Sequence, residues 1–265
     1  MTTGSLREEI VWWGRSLFER GLTSGTSGNI SVRCEDGFLV TPTNACLGRL
    51  DPERISLLDA DWRHVEGDKP TKEIALHRPF YAARPQTAAV VHLHSTYSTA
   101  LSCLTGIDAS DALRALTPYV VMKIGVVRVL PYARPGSDVL EPQILEAAAG
   151  GAGLLLGNHG PIVSGRTLQD AVSALEEMEE AAKLSFLLRD FPVRYLSADE
   201  LSELHTVFGS KLSGVSRPIS DFFGRIDRSA IGSRPRRVLA SRPSNCIGPM
   251  MSRPRMFAAR RTRPV

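Results

Sequence analysis

At 265 residues, 43% hydrophobic and 23% charged, the chain can bury a full core and has the composition of an ordinary globular enzyme. No apolar run approaches a membrane span and the polar, acidic beginning is unlike an export signal, so a cytoplasmic protein without membrane attachment is expected. The net charge of +4 is unevenly spread: residues 211–265 hold 13 of the 32 basic residues and two of the 28 acidic ones, a local +11 that leaves −7 for residues 1–210 and gives that body no nucleic-acid character.

Ser5 followed by Glu8 has capping-box spacing, and Leu6, Ile10, Trp13 and Leu17 recur at helical intervals before Gly21, where a helix would stop. Residues 23–29, rich in Thr, Ser and Gly, read as a loop, with strands following over Ile30–Arg33 and Phe38–Thr41. Pro70 and Thr71 suit a helix start near Thr71, which Pro79 should kink or end early. Ala88–Leu93 and Gly153–Leu156 read as buried strands. Thr167 with Asp170 opens the clearest helix. Leu168, Ala171, Val172, Leu175, Met178, Ala182 and Ser185 form its inner stripe, with Glu176, Glu177, Glu179 and Glu180 outside. Strands scattered among helices without a strict βα repeat indicate a layered α/β domain. After about Gly209, Ser-Arg-Pro recurs at 216–218, 233–235, 241–243 and 252–254 with no hydrophobic period between copies. A domain over 1–209 and a disordered basic tail over 210–265 are therefore expected. A nucleic-acid or membrane-surface partner would rest on that tail's charge alone, and none is assigned. Cys34, Cys46, Cys103 and Cys246 lie far apart and read as reduced thiols.

The chemistry concentrates at three histidines and a glutamate. His92-Leu93-His94 closes an apolar strand, so alternation puts both imidazoles on one face about 7 Å apart. Asn158-His159-Gly160-Pro161 sets a third histidine on a tight turn directly after the second buried strand, and Glu73 supplies a carboxylate near a helix start. Histidines at a strand end can simply pack or hydrogen-bond. Three neutral imidazoles, however, suit zinc and leave it an open position, the catalytic rather than the structural pattern. The loop Gly25–Asn29 offers amides, hydroxyls and a carboxamide to an anion, although such clusters are usually plain turns. Lys72 adds a positive charge beside Glu73. His64 and His205 read as surface residues. His77, one helical turn after Glu73, could orient it, but a packing contact is the plainer reading and no role is assigned.

Gly25-Thr-Ser-Gly-Asn-Ile-Ser-Val-Arg33, Thr41-Pro42-Thr43, Glu73, His92-x-His94 and Asn158-His159-Gly160, in that order over residues 5–208, resemble the class II aldolase/adducin family. The resemblance implies a three-layer α/β/α sandwich around a mainly antiparallel sheet, assembled as a homotetramer with sites between subunits. It implies one zinc per subunit on His92, His94 and His159, and Glu73 as the proton-transferring residue. Asn29, Thr43, Thr71 and Lys72 match phosphate-binding positions of the family's sugar-phosphate aldolases, with Gly28 and Asn44 beside them. Asn44 departs from the pattern, standing where those aldolases usually have glycine. Tyr119 matches a tyrosine that reaches a neighbouring subunit's site. Lys69–Glu73, His92–Thr96 and Leu116–Met122 look most like a branch that decarboxylates a 3-oxo-tetronate 4-phosphate to dihydroxyacetone phosphate and CO2. Aldol cleavage of a sugar phosphate is the alternative. A non-catalytic, adducin-like binding domain is the alternative of another class, but it would have no need of a zinc triad.

Overall fold

The computed structural model describes residues 2–212, so the expected tail lies, beyond Leu212, outside the described residues. In chain order the elements are α1 (Thr3–Glu19), β1 (Asn29–Cys34), β2 (Gly37–Val40), β3 (Ser56–Leu58), β4 (His64–Glu66), α2 (Ile74–Ala83), β5 (Ala89–His92) and α3 (Thr96–Ser102). There follow α4 (Pro118–Lys123), β6 (Arg128–Leu130), α5 (Glu141–Ala148), β7 (Gly153–Leu156), β8 (Gly160–Gly165), α6 (Leu168–Leu188) and α7 (Ala198–Leu212). No described helix is long and apolar enough to cross a membrane.

The strands form one sheet in the order β4-β3-β2-β1-β5-β8-β7-β6, antiparallel throughout except for the β6–β7 pair. Side-chain alternation divides the core between its two faces. On one face Ile30, Val32, Leu39, Val91 and Val163 pack with Ile10 and Leu17 of α1 and with Val172, Leu175 and Met178 of α6. On the other, Phe38, Val40, Val90 and Ile162 pack with Leu76, Phe80 and Tyr81 of α2 and Ile144 of α5. The expected three-layer sandwich with a mainly antiparallel sheet is what forms.

Local details differ from expectation in three places. The cap of α1 is Thr2, whose Oγ1 accepts from the Ser5 amide at 3.2 Å, while the Ser5 hydroxyl donates to the Thr2 carbonyl at 2.8 Å. Both hydroxyls suit an N-cap, and the earlier one starts the helix almost a turn sooner. Helix α2 starts at Ile74, with Glu73 in its cap position, and runs through Pro79 to Ala83. An interior proline forfeits a backbone bond and costs about 3 kcal/mol in an isolated helix. Burial of Leu76, Phe80 and Tyr81 offsets that loss here.

The third difference is Glu179, which is buried rather than on the outer face of α6. Its Oε2 accepts from the Ser95 hydroxyl at 2.7 Å, the Ser98 amide at 2.8 Å and the Ser98 hydroxyl at 2.7 Å, and its Oε1 accepts from the Tyr97 amide at 2.7 Å. One carboxylate thus satisfies free amides at the start of α3, directly after His94, and ties them to α6. Glu179→Ala should strip four donors of their acceptor and lower stability by on the order of 3 kcal/mol. For a domain of this size the melting temperature should fall by about 10 °C. Thermal unfolding followed by circular dichroism checks this; an unchanged melting temperature would show that water replaces the carboxylate without loss.

Candidate metal centre

His92 ends β5, where it stands opposite Asn29 of β1 and Ile162 of β8. Sharing the parity of Val90, it points to the α2 face of the sheet. It is fully buried, and its Nδ1 lies 2.8 Å from the Pro161 carbonyl oxygen. A carbonyl only accepts, so Nδ1 carries the proton and Nε2 keeps a free lone pair. His159 occupies the turn between β7 and β8, after Asn158 at φ +53° and before Gly160 at φ +142°. A Cβ on Gly160 would lie 2.6 Å from the Leu93 carbonyl oxygen, so glycine lets this turn press against the segment that carries His94.

The three rings converge. Their centroids are 5.1 Å apart for His92–His94, 4.7 Å for His92–His159 and 4.8 Å for His94–His159. His94 has left the strand, which brings its ring nearer to His92 than strict alternation predicts. One ligand nitrogen from each lies within 4.8 Å of the other two. The Nε2 atoms of His92 and His159 are buried without a hydrogen-bond partner. A buried polar nitrogen left so costs about 1–3 kcal/mol unless something binds it. Burial, followed by the neighbouring imidazoles, pushes His92 well below the usual histidine range. Burial and His159 lower His94, and burial lowers His159 against the opposing pull of Glu73. Neutral imidazoles with inward lone pairs are the form that ligates a divalent cation, so these residues fit a metal.

Glu73 closes the floor of the cluster, its Oε1 3.4 Å from His159 Nε2 and its Oε2 3.8 Å from His92 Nε2. Behind it runs a buried hydrogen-bonded row. Asn29 Nδ2 donates to Glu73 Oε2 at 2.8 Å, and His77 Nε2 meets Asn29 Oδ1 at 2.5 Å. Ser31 Oγ lies 2.8 Å from His77 Nδ1 and 2.9 Å from the Tyr81 hydroxyl. His77 is therefore more than a packing contact, and it reaches Glu73 through Asn29. The signal was present as two periodicities: Glu73, His77 and Tyr81 recur at helical spacing, and Asn29 and Ser31 alternate on a strand.

The expected anion-binding residues are gathered beside Glu73. The Thr43 amide donates to the Lys69 carbonyl at 2.9 Å and the Thr71 amide to the Thr41 carbonyl at 3.2 Å, so residues 41–43 and 69–71 lie side by side. Thr71 is buried and Lys72 exposed, and the Lys72 charge acts on His159. Asn44 adopts φ +58°, a left-handed conformation that asparagine tolerates, which accounts for its place at a position the family usually gives to glycine. Gly28, at φ +83°, has no room for a side chain: a Cβ would lie 2.8 Å from Leu93 Cδ2 and 2.9 Å from the His92 carbonyl oxygen. Tyr119 stands apart. It is 54% exposed on α4, and no ring contact of the histidine cluster among the described residues involves it.

The family profile of the Class II Aldolase and Adducin N-terminal domain matches residues 8–186. The chain belongs to the class II aldolase/adducin family. It is 50% identical over 203 residues to the 3-oxo-tetronate 4-phosphate decarboxylase of Escherichia coli (strain K12), covering 76% of this chain and 96% of that one. It is 32% identical over 206 residues to the L-fuculose phosphate aldolase of the same strain, covering 76% and 93%. The crystal structure of YgbL from Escherichia coli superposes with a TM-score of 0.74 at 49% identity, covering 76% of this chain and 98% of the other. These named relatives, decarboxylase and aldolase, are carbon–carbon lyases.

Because the Gly28 backbone touches the strand end that bears His92, Gly28→Ala should displace the 92–94 segment. Divalent-metal affinity measured by competition with a chelating dye should fall by about tenfold or more, as expected when the support of a ligand is disturbed. Wild-type affinity in this variant would show that the loop does not set the ligand geometry.

Proposed function

We propose that this carbon–carbon lyase is zinc-dependent and decarboxylates a 3-oxo-tetronate 4-phosphate to dihydroxyacetone phosphate and CO2. The observation that carries the reading is the joint presence of His92, His94, His159 and Glu73 in a body 50% identical to a decarboxylase named for that substrate, over 96% of its length. A non-catalytic binding module would have no use for buried, unpaired imidazole nitrogens facing a carboxylate.

His92, His94 and His159 would hold the zinc, which when bound supplies Lewis-acid polarisation of the substrate's keto oxygen. Thr43, Thr71, Lys72 and the free N–H of Asn29 hold the phosphate, with Gly28 and Asn44 shaping the loops around it. This fixes C2, the carbon bearing the carboxylate, over Glu73. Cleavage of the C1–C2 bond releases CO2 and leaves its electron pair at C2, delocalised toward the C3 oxygen. Glu73 takes up a proton from solvent at Oε1 and passes it to C2, completing dihydroxyacetone phosphate and returning to the carboxylate. The exposed Tyr119, which makes no ring contact with the histidines among the described residues, fits a homotetramer in which it reaches a neighbouring subunit's site.

Aldol cleavage passes through the same electron-rich C2 by losing an aldehyde instead of CO2, and the 32% identity to an aldolase keeps it as the second reading. A product assay on zinc-loaded protein separates the two, using both C2 epimers of 3-oxo-tetronate 4-phosphate and a panel of ketose 1-phosphates. CO2 release from at least one epimer, at a rate well above any aldehyde release, is expected. In Glu73→Gln that rate should fall about 10²–10⁴-fold with zinc content retained. Aldehyde as the faster product would replace the decarboxylase reading with the aldolase one.

A further inference from the structure

The hydrogen-bonded row behind Glu73 has a direction that the chemistry of its members forces. A carboxylate has no proton to give, so the side of Asn29 facing Glu73 must be its Nδ2. Asn29 Oδ1 then faces His77, and an amide oxygen only accepts, so His77 Nε2 carries the ring proton. His77 Nδ1 is left as an acceptor for the Ser31 hydroxyl, whose oxygen in turn accepts from Tyr81. Burial keeps the ring neutral, pushing His77 down to about 3, and raises Tyr81, so both stay in the protonation states the row needs across the neutral range. All of these groups lie on the α2 face, because Asn29 and Ser31 alternate with the oppositely packed Ile30 and Val32. Each bond in the row fixes the next, and reversing any one would leave two donors or two acceptors face to face in a buried site.

From this we infer that His77 is a positioning residue for Glu73, acting through Asn29. The row pins the Asn29 carboxamide in one orientation, so an N–H always occupies Glu73 Oε2. With that oxygen occupied, the carboxylate presents Oε1, the one beside His159, as the single atom that exchanges a proton with substrate. The inference rests on the proposed role of Glu73 in proton transfer and adds the device that aims it.

His77→Leu removes the row's central link while filling similar space. With zinc-loaded protein and 3-oxo-tetronate 4-phosphate, kcat should fall about 10²-fold, the scale of a misplaced reacting group, with KM and zinc stoichiometry little changed. His77→Gln can still donate to Asn29 and accept from Ser31, and should recover kcat to within about fivefold. In a Glu73→Gln background His77→Leu should lower kcat by less than about threefold, because a residue acting only through Glu73 has nothing left to aim. A purely structural role would instead give the full loss in both backgrounds, equal damage from Leu and Gln, and a parallel fall in zinc content. Should His77→Leu not fold, Ser31→Ala removes one oxygen from the row, and a loss of about tenfold, again absent in the Glu73→Gln background, is expected. Wild-type kcat in His77→Leu alongside an impaired Glu73→Gln would overturn the positioning role alone. Wild-type kcat in Glu73→Gln itself would overturn the proton-transfer reading on which it rests.

Discussion

The antiparallel pairing of β5 with β8 is the constraint on which the site depends. It sets His92 opposite Ile162 and brings the Pro161 carbonyl within 2.8 Å of the His92 ring. That one bond selects the tautomer of His92 and turns its Nε2 inward. The same pairing carries the turn before β8, and with it His159, to the end of β5. A slip of one residue would send His92 to the α1–α6 face and away from Glu73. Register, tautomer and ligand geometry are therefore one property of the fold rather than three.

Around that pairing the site is assembled from buried polar groups that are nearly all satisfied. Glu179 secures the chain just after His94 from one face of the sheet, and Asn29 secures Glu73 from the other. Unsatisfied atoms would be costly in such surroundings, so the two that remain stand out: Nε2 of His92 and Nε2 of His159. They face the same space as the Glu73 carboxylate. Rigid support on both sides with an unmet demand at the centre is the pattern of a site built to be completed by an ion.

Much of this was legible in the sequence where local chemistry leaves few choices. Gly153–Leu156 is a strand as read, since three leucines between Gly153 and Gly157 are too short a run to sustain a helix. Thr167 caps α6 by accepting from the Asp170 amide at 3.0 Å, as its spacing implies. The histidine triad was legible because strand ends and tight turns aim side chains predictably. What was missed depends on partners distant in sequence. Glu179 sits among four glutamates on an amphipathic helix, and only the docking of α3, some eighty residues earlier, makes one of them internal. His77 gains its partners, Asn29 and Ser31 of β1, only because α2 docks on that face of the sheet, which no helical pattern encodes. Pro79 survives inside α2 because packing overrides its local cost. The role expected of Tyr119 concerns another copy of the chain; in the single chain Tyr119 is exposed on α4.

The central claim is that His92, His94 and His159 together hold the metal and that Glu73 is left to handle protons. Zinc X-ray absorption on protein loaded with one equivalent tests it most directly. The account predicts imidazole scattering from three histidines with Zn–N distances of about 2.0–2.1 Å, and no sulfur. The spectrum should lose one imidazole contribution in His159→Ala and stay unchanged in Glu73→Gln. A sulfur scatterer at about 2.3 Å, or fewer than three imidazoles in the intact protein, would contradict it.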